Sequence, residues 1–173
     1  RVTGINISAK QARSARDLAE GCGVAVMDAA RLGFADRTFD ALLCVEAAFH
    51  FDTRERFLEE ARRVLRPGGR LALSDVLMTR DAETRRPSFS EANHLDDARA
   101  YEALLGRCGF DEVRVIDATE ECWRGCYRAS VSFVLDRYLE GAIDAPARDR
   151  FLERLYGLVP DLTAYLLVGA RRG

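Results

Sequence analysis

Hydrophobic positions along this chain switch between two periods, and the switches mark out alternating strands and helices. Ala41 to Val45 is a nearly unbroken apolar run after Phe39-Asp40, the pattern of a strand buried on both faces of a parallel sheet. Phe57, Leu58, Ala61, Val64 and Leu65 then recur at helical spacing, while Arg54, Glu59, Glu60, Arg62 and Arg63 face water. Asp52 is placed to cap this helix, with Glu55 three residues on, because both carboxylates can accept from free N–H groups of the first turn and favour its positive dipole end. Pro67-Gly68-Gly69 ends the helix, and Leu71 to Val76 is the next strand. Strand, helix and strand with a short return make a right-handed parallel crossover, the unit from which open α/β sheets are built.

The reading extends in both directions. Val2 to Ile7 is a strand. Ser8 caps the helix after it, with Gln11 in capping-box position, and Ala12, Ala15, Leu18 and Ala19 continue to the glycines at Gly21 and Gly23. Val24 to Ala29 alternates as a third strand ending in Asp28-Ala29. Thr79 to Asn93 is polar, contains Pro87 and reads as a loop. Helical spacing returns at Ala98, Tyr101, Leu104 and Leu105, and Val113, Val115 and Ile116 alternate as a strand. Glu120 to Gly141, with Trp123, Tyr127, Val131, Val134, Leu135 and Tyr138, reads as one long amphipathic helix, mostly core with a minor share in a pocket. A further helix covers about residues 147 to 158, so that roughly residues 120–160 form a helical insertion before a closing strand at Thr163 to Ala170.

Composition narrows the range of functions. The chain has 173 residues, 48% of them hydrophobic, which suits one domain with a real core. A formal net charge of −2, with acids and bases interspersed, gives no footprint for nucleic acid or an anionic membrane and favours a small neutral substrate. No apolar stretch approaches the ~20 residues that span a bilayer, and the start has no signal-peptide organisation, so the expectation is a cytoplasmic protein. The five cysteines include no C-x-x-C pair, and Cys122 and Cys126 have no histidine nearby. No metal or disulfide is expected, and the thiols are read as reduced core residues.

The run from Asp40 through Glu46 and His50 to LRPGG and LALSD resembles the second half of a class I S-adenosylmethionine-dependent methyltransferase. Within that class it is most similar to enzymes acting on small natural products, sterols and isoprenoid quinones. The resemblance implies an α/β, Rossmann-like doubly wound fold, with a mostly parallel sheet, an antiparallel last strand and S-adenosyl-L-methionine at the strand ends. The family's first strand and its glycine-rich turn have no counterpart in the sequence. The expectation is therefore a single methyltransferase-like domain over residues 1–173, N-terminally incomplete, which lacks the strand between two others and binds cofactor weakly.

Residue by residue, the resemblance puts Asn6 where relatives carry an acid for the ribose hydroxyls, Ile7 against the adenine, and Gln11 within reach of ribose or adenine. It gives Asp28 the adenine amino group, turns the backbone N–H of Ala29 to the ring, and sets Val45 and Glu46 beside the methionine portion. His50 is implied as general base, with Asp75 orienting it or holding the acceptor hydroxyl, and Phe89 and His94 are candidates for the acceptor pocket. From residue type alone, each also has a bland reading: Asn6 ending a strand, Asp28 and Asp75 capping turns, His50 packed between Phe49 and Phe51. The implied reaction is methyl transfer to a small-molecule acceptor, first a hydroxyl oxygen and second a carbon of an isoprenoid- or sterol-like compound. The rivals are a non-catalytic methyltransferase-like module for binding or dimerisation, which leaves a homodimer open, and a nicotinamide-dependent oxidoreductase, for which no phosphate-binding glycine motif exists.

Overall fold

The computed structural model describes residues 1–85, 91–157 and 161–173. Two strands open the chain, β1 (Thr3–Asn6) and β2 (Gly23–Val26), paired in parallel around helix α1 (Ala9–Leu18). The remaining strands, β3 (Phe39–Val45), β4 (Leu65–Met78), β5 (Phe110–Asp117) and β6 (Leu162–Arg172), form a four-stranded sheet in the order β3-β4-β6-β5. β3 and β4 are parallel, and β6 runs antiparallel to both β4 and β5. Among the described residues, neither β1 nor β3 pairs along its second edge, so the two sheets share no ladder.

Helices α2 (Arg54–Val64) and α4 (Ala98–Arg107) cover one face of the larger sheet. Phe57, Leu58 and Ala61 of α2 and Tyr101, Leu104 and Leu105 of α4 pack on Leu71, Leu73, Leu77, Leu166 and Val168, each nearly or fully removed from water. Burial of side chains this size contributes roughly 1.5–3 kcal/mol apiece. On the opposite face, Val76 and Tyr165 are covered by Ala118, Phe49 and Trp123, whereas among the described residues β3 has no such cover. Leu43 and Val45 on β3 are 73% and 61% exposed, so β3 is buried on one face, not on both as its apolar run suggests. An uninterrupted apolar pattern reports that both faces suit burial; whether an element lies on each is a tertiary matter.

Local chemistry accounts for most of the boundaries. Ser8 caps α1 by accepting from the Gln11 N–H (3.3 Å), as its spacing predicts. The cap of α2 is Thr53, whose hydroxyl accepts from Arg56 N–H (3.0 Å), and not Asp52, which pairs with the Arg56 side chain one turn on. β4 begins directly where α2 stops, at Leu65, and runs through Pro67 and Gly68; the register slips between Phe39 and Ala41 of β3 to admit them. Gly69 sits 2.8 Å from the Arg66 carbonyl at the position a Cβ would take, a space only glycine tolerates.

The segment read as a loop contains helix α3 (Arg80–Thr84), capped by Thr79, and a 3-10 turn at Glu91–Asn93; Pro87 and Phe89 lie outside the described residues. The expected long helix is two elements, a π-helical turn at Thr119–Arg124 and helix α5 (Gly125–Leu139). Of α5 only Val134 is buried, and helix α6 (Ala145–Tyr156) has no buried residue, so this pair packs mainly on itself, with Tyr127 and Tyr156 edge to face at 6.0 Å. Cys44 and Cys108 are core thiols, whereas Cys22, Cys122 and Cys126 are exposed, which corrects the reading of all five as buried. Among the described residues, no helix is long and apolar enough to cross a membrane.

Candidate active site

The carboxyl ends of β1, β2, β3 and β4 carry the polar residues that an open α/β sheet turns toward a ligand. Asn6 ends β1, with its Oδ1 accepting from the Ser8 N–H (2.8 Å) and its carbonyl from Met27 N–H (3.1 Å). That bond turns the chain into α1 and leaves the Asn6 amide donor for other partners. Ile7 next to it is 74% exposed, and Gln11 is exposed on the first turn of α1. Asp28, just past β2, accepts from the Ala30 N–H through Oδ1 (2.9 Å), and Ala29 is buried beneath it.

The segment from Ala30 to Arg37 is held to the back of α2 by Arg63. Its guanidinium donates to the Leu32 and Phe34 carbonyls (2.7 Å each), to Asp36 (2.8 Å) and to Glu60 (2.7 Å). Glu60 completes the clamp by accepting from Leu32 N–H (2.6 Å). The hydrogen bonds from Arg63 hold the Glu60 carboxyl below its ordinary range, against a smaller upward push from burial. Two parts of the sequence that form no common sheet are thereby fixed relative to each other.

β3 ends at Val45, and Glu46 then adopts φ +47°, a left-handed conformation uncommon outside glycine. Its N–H donates to Ser74 O (3.0 Å) and Oγ (3.2 Å), and its carboxylate accepts from the Tyr165 hydroxyl (2.7 Å). The chain continues into a 3-10 turn, Ala48–His50, with Ala48 buried and His50 exposed. The His50 ring lies 4.1 Å from that of Phe49.

Beneath this turn is a buried polar network. Asp75, fully buried in β4, accepts from Arg54 Nε (2.7 Å), the Tyr101 hydroxyl (2.8 Å), Val76 N–H (2.9 Å) and Phe49 N–H (3.2 Å). Arg54 also donates to the Val76 carbonyl (2.8 Å) and to the Asn93 carbonyl. The Asn93 amide in turn donates to the Ala48 and Phe49 carbonyls (3.2 Å each). Burial, and then the Asp75 charge, push the Tyr101 phenol well above its usual range, so it serves here as a hydrogen-bond donor. Asp75 therefore acts on the His50 turn through the backbone of Phe49 and shares the task with Arg54 and Asn93, whose parts the sequence does not reveal. Their one sequence signal is an arginine among the polar positions of an amphipathic helix, which reads as solvated until the structure shows it 2% exposed.

His94, a candidate for an acceptor pocket, instead joins two segments: Nδ1 lies 2.6 Å from Glu83 of α3 and Nε2 lies 3.1 Å from Asp96.

Residues 1–73 match the family model described as a methyltransferase domain. The chain is 42% identical over 132 residues to the 27-O-demethylrifamycin SV methyltransferase of Amycolatopsis mediterranei, a match covering 69% of this chain and 48% of that protein. It is 31% identical over 133 residues to methyltransferase GfsG of Streptomyces halstedii, with the same coverage. By these matches the chain is similar to methyltransferases. The chain spans about half the length of these relatives. Its fold is that of a Haemonchus contortus phosphoethanolamine N-methyltransferase 2 solved with phosphomonomethylethanolamine and S-adenosylhomocysteine, with a TM-score of 0.75 at 16% identity over 99% of this chain and 43% of that one. The antiparallel last strand that the resemblance implied is β6, which the structure places between β4 and β5.

Proposed function

We propose that this domain takes part in methyl transfer from S-adenosyl-L-methionine to a hydroxyl oxygen of a small natural product. What carries the reading is the set of polar groups at the carboxyl ends of three strands, half-buried Asn6 and exposed Asp28 and Glu46, in a chain similar to methyltransferases. The residues fit the adenosine half of the cofactor. Asn6 keeps a free amide donor, Asp28 keeps a carboxylate oxygen beyond its bond to Ala30, and exposed Ile7 offers an apolar surface for a flat ring. Gln11 would reach the same half from α1, the backbone of Ala29 would face the base, and Val45 and Glu46 would border the methionine half. The cofactor, when bound, supplies a methyl group on a sulfonium, open to in-line displacement.

The protein's own part is to bind, orient and move a proton. His50, exposed on a turn held by Asp75, Arg54 and Asn93, would accept the proton of the acceptor hydroxyl. Holding that turn is what orientation requires, since a well-placed reacting pair removes about 7–11 kcal/mol of a bimolecular barrier. The test is incubation with S-adenosyl-L-methionine and a panel of hydroxylated natural products, read by mass spectrometry. The expected result is an acceptor gaining one methyl group at oxygen, at a rate ~10²–10⁴-fold lower in His50→Ala. A methyl on carbon, or full activity of His50→Ala, would remove the hydroxyl acceptor or the base, respectively.

A further inference from the structure

Glu46 and Tyr165 meet across the sheet in a way that the roles above do not use. The left-handed backbone of Glu46 is held by both hydrogen-bond acceptors of Ser74, and such strain persists only where its surroundings enforce it, often at ligand sites. It brings the carboxylate to β6, where the Tyr165 hydroxyl donates to Oε1 at 2.7 Å. Tyr165 is 8% exposed and fixed at its main chain: its N–H donates to Thr119 Oγ1 (2.9 Å) and its carbonyl accepts from Ala118 N–H (2.8 Å). Burial and the bond to Glu46 raise its phenol pKa, with Ser74 opposing, so it remains a donor.

The surroundings are mostly apolar. Phe49, Trp123 and Val76 pack with Tyr165, and Trp123 stands on the π-helical turn, a feature frequent at functional sites. On the same sheet face, a concavity of about 480 Å³ is lined by Val45, Ser74, Tyr165, Ile116, Leu167 and the charged Arg114. The geometry points to Glu46 and Tyr165 as the acceptor-binding pair, for a small molecule whose hydroxyl is borne on a flat apolar ring, such as a phenol. Tyr165 fixes one carboxylate oxygen and the other stays open to a hydroxyl donor, because Glu46 as a residue is exposed. A hydrogen bond to a charged acceptor rejects the methyl ether, which has no donor to give. As an assignment of the acceptor this rests on the methyl-transfer reading; as a binding site it does not.

The test is a ¹⁹F NMR titration of 4-fluorophenol and 4-fluoroanisole into the full chain, into Glu46→Gly, which suits the left-handed backbone, and into Tyr165→Phe. Circular dichroism verifies that each variant is folded. The expected result is that 4-fluorophenol binds the unaltered chain ~10-fold more tightly than 4-fluoroanisole, and that each variant brings the two within ~2-fold. Equal affinity in the unaltered chain, no binding of either, or a preference that survives Glu46→Gly overturns the inference. A parallel titration with S-adenosylhomocysteine separates it from the reading beneath it. Phenol preference without nucleoside binding keeps the pair and removes methyl transfer; nucleoside binding without phenol preference does the reverse.

Discussion

Replacing Asp75 by Ala removes the acceptor on which the buried polar network converges. Arg54 is 2% exposed, and its Nε–Oδ2 contact with Asp75 is 2.7 Å. Breaking such a pair from one side leaves an uncompensated buried charge and costs ~3–5 kcal/mol. Arg54 retains the Val76 and Asn93 carbonyls, which lowers the cost, while the Tyr101 hydroxyl and two backbone N–H groups lose their acceptor, which raises it, so the low end of that range is the least loss expected. A loss of about 3 kcal/mol is a large share of the ~5–15 kcal/mol that holds a domain folded. With a urea slope near ~2 kcal/mol/M it lowers the unfolding midpoint by roughly 1.5 M. The double variant Arg54→Met with Asp75→Ala should lose less than the sum of the two singles, because neither charge is then stranded. A loss under about 1 kcal/mol for Asp75→Ala, or strictly additive singles, would refute the account of Asp75 as the centre of this network.

Four further outcomes follow from the same geometry. Thr53→Ala should destabilise α2 by ~1 kcal/mol in urea unfolding and Asp52→Ala by no more than ~0.5, since the hydroxyl makes the cap and the carboxylate only an exposed ion pair. Asp28→Ala should leave the circular dichroism spectrum unchanged while weakening S-adenosylhomocysteine binding; unchanged affinity would take Asp28 out of the site. Burial, and next the Asp75 charge, push the Cys44 thiol up to about 12, and burial pushes Cys108 to about 11. Native alkylation at pH 8 followed by mass spectrometry should therefore label exposed Cys22, Cys122 and Cys126 and spare those two. Because both folded values lie above the ordinary 9.0, the stability these thiols confer is complete below pH ~9 and is lost as pH rises through the folded values; unfolding midpoints that rise over that window would contradict the assignment.

Much of the fold was legible because it is written in local periodicity. The parallel crossover from β3 through α2 to β4, the cap of α1 at Ser8 and the antiparallel last strand all follow from residue pattern or from the family that the pattern resembles. What stayed hidden depends on contacts distant in sequence. The bare face of β3 reflects what lies against Leu43 and Val45, and the buried state of Arg54 depends on Asp75 and Asn93, 21 and 39 residues away. The π-helical turn at Thr119–Arg124 escaped because Glu120 to Tyr138 keeps helical spacing right across the junction. Asn6, Asp28 and Glu46 stand at strand ends as their place in the sequence suggests, yet the pairing of Glu46 with Tyr165 joins positions 119 residues apart, with no local pattern to announce it.

The most direct test of the central claim is a map of amide chemical shifts in the ¹⁵N-labelled chain as S-adenosylhomocysteine is added. The account predicts saturable changes clustered at residues 6–7, 28–30 and 45–46, the ends of β1, β2 and β3. No change at saturating nucleoside, or changes confined to α5 and α6, would contradict it.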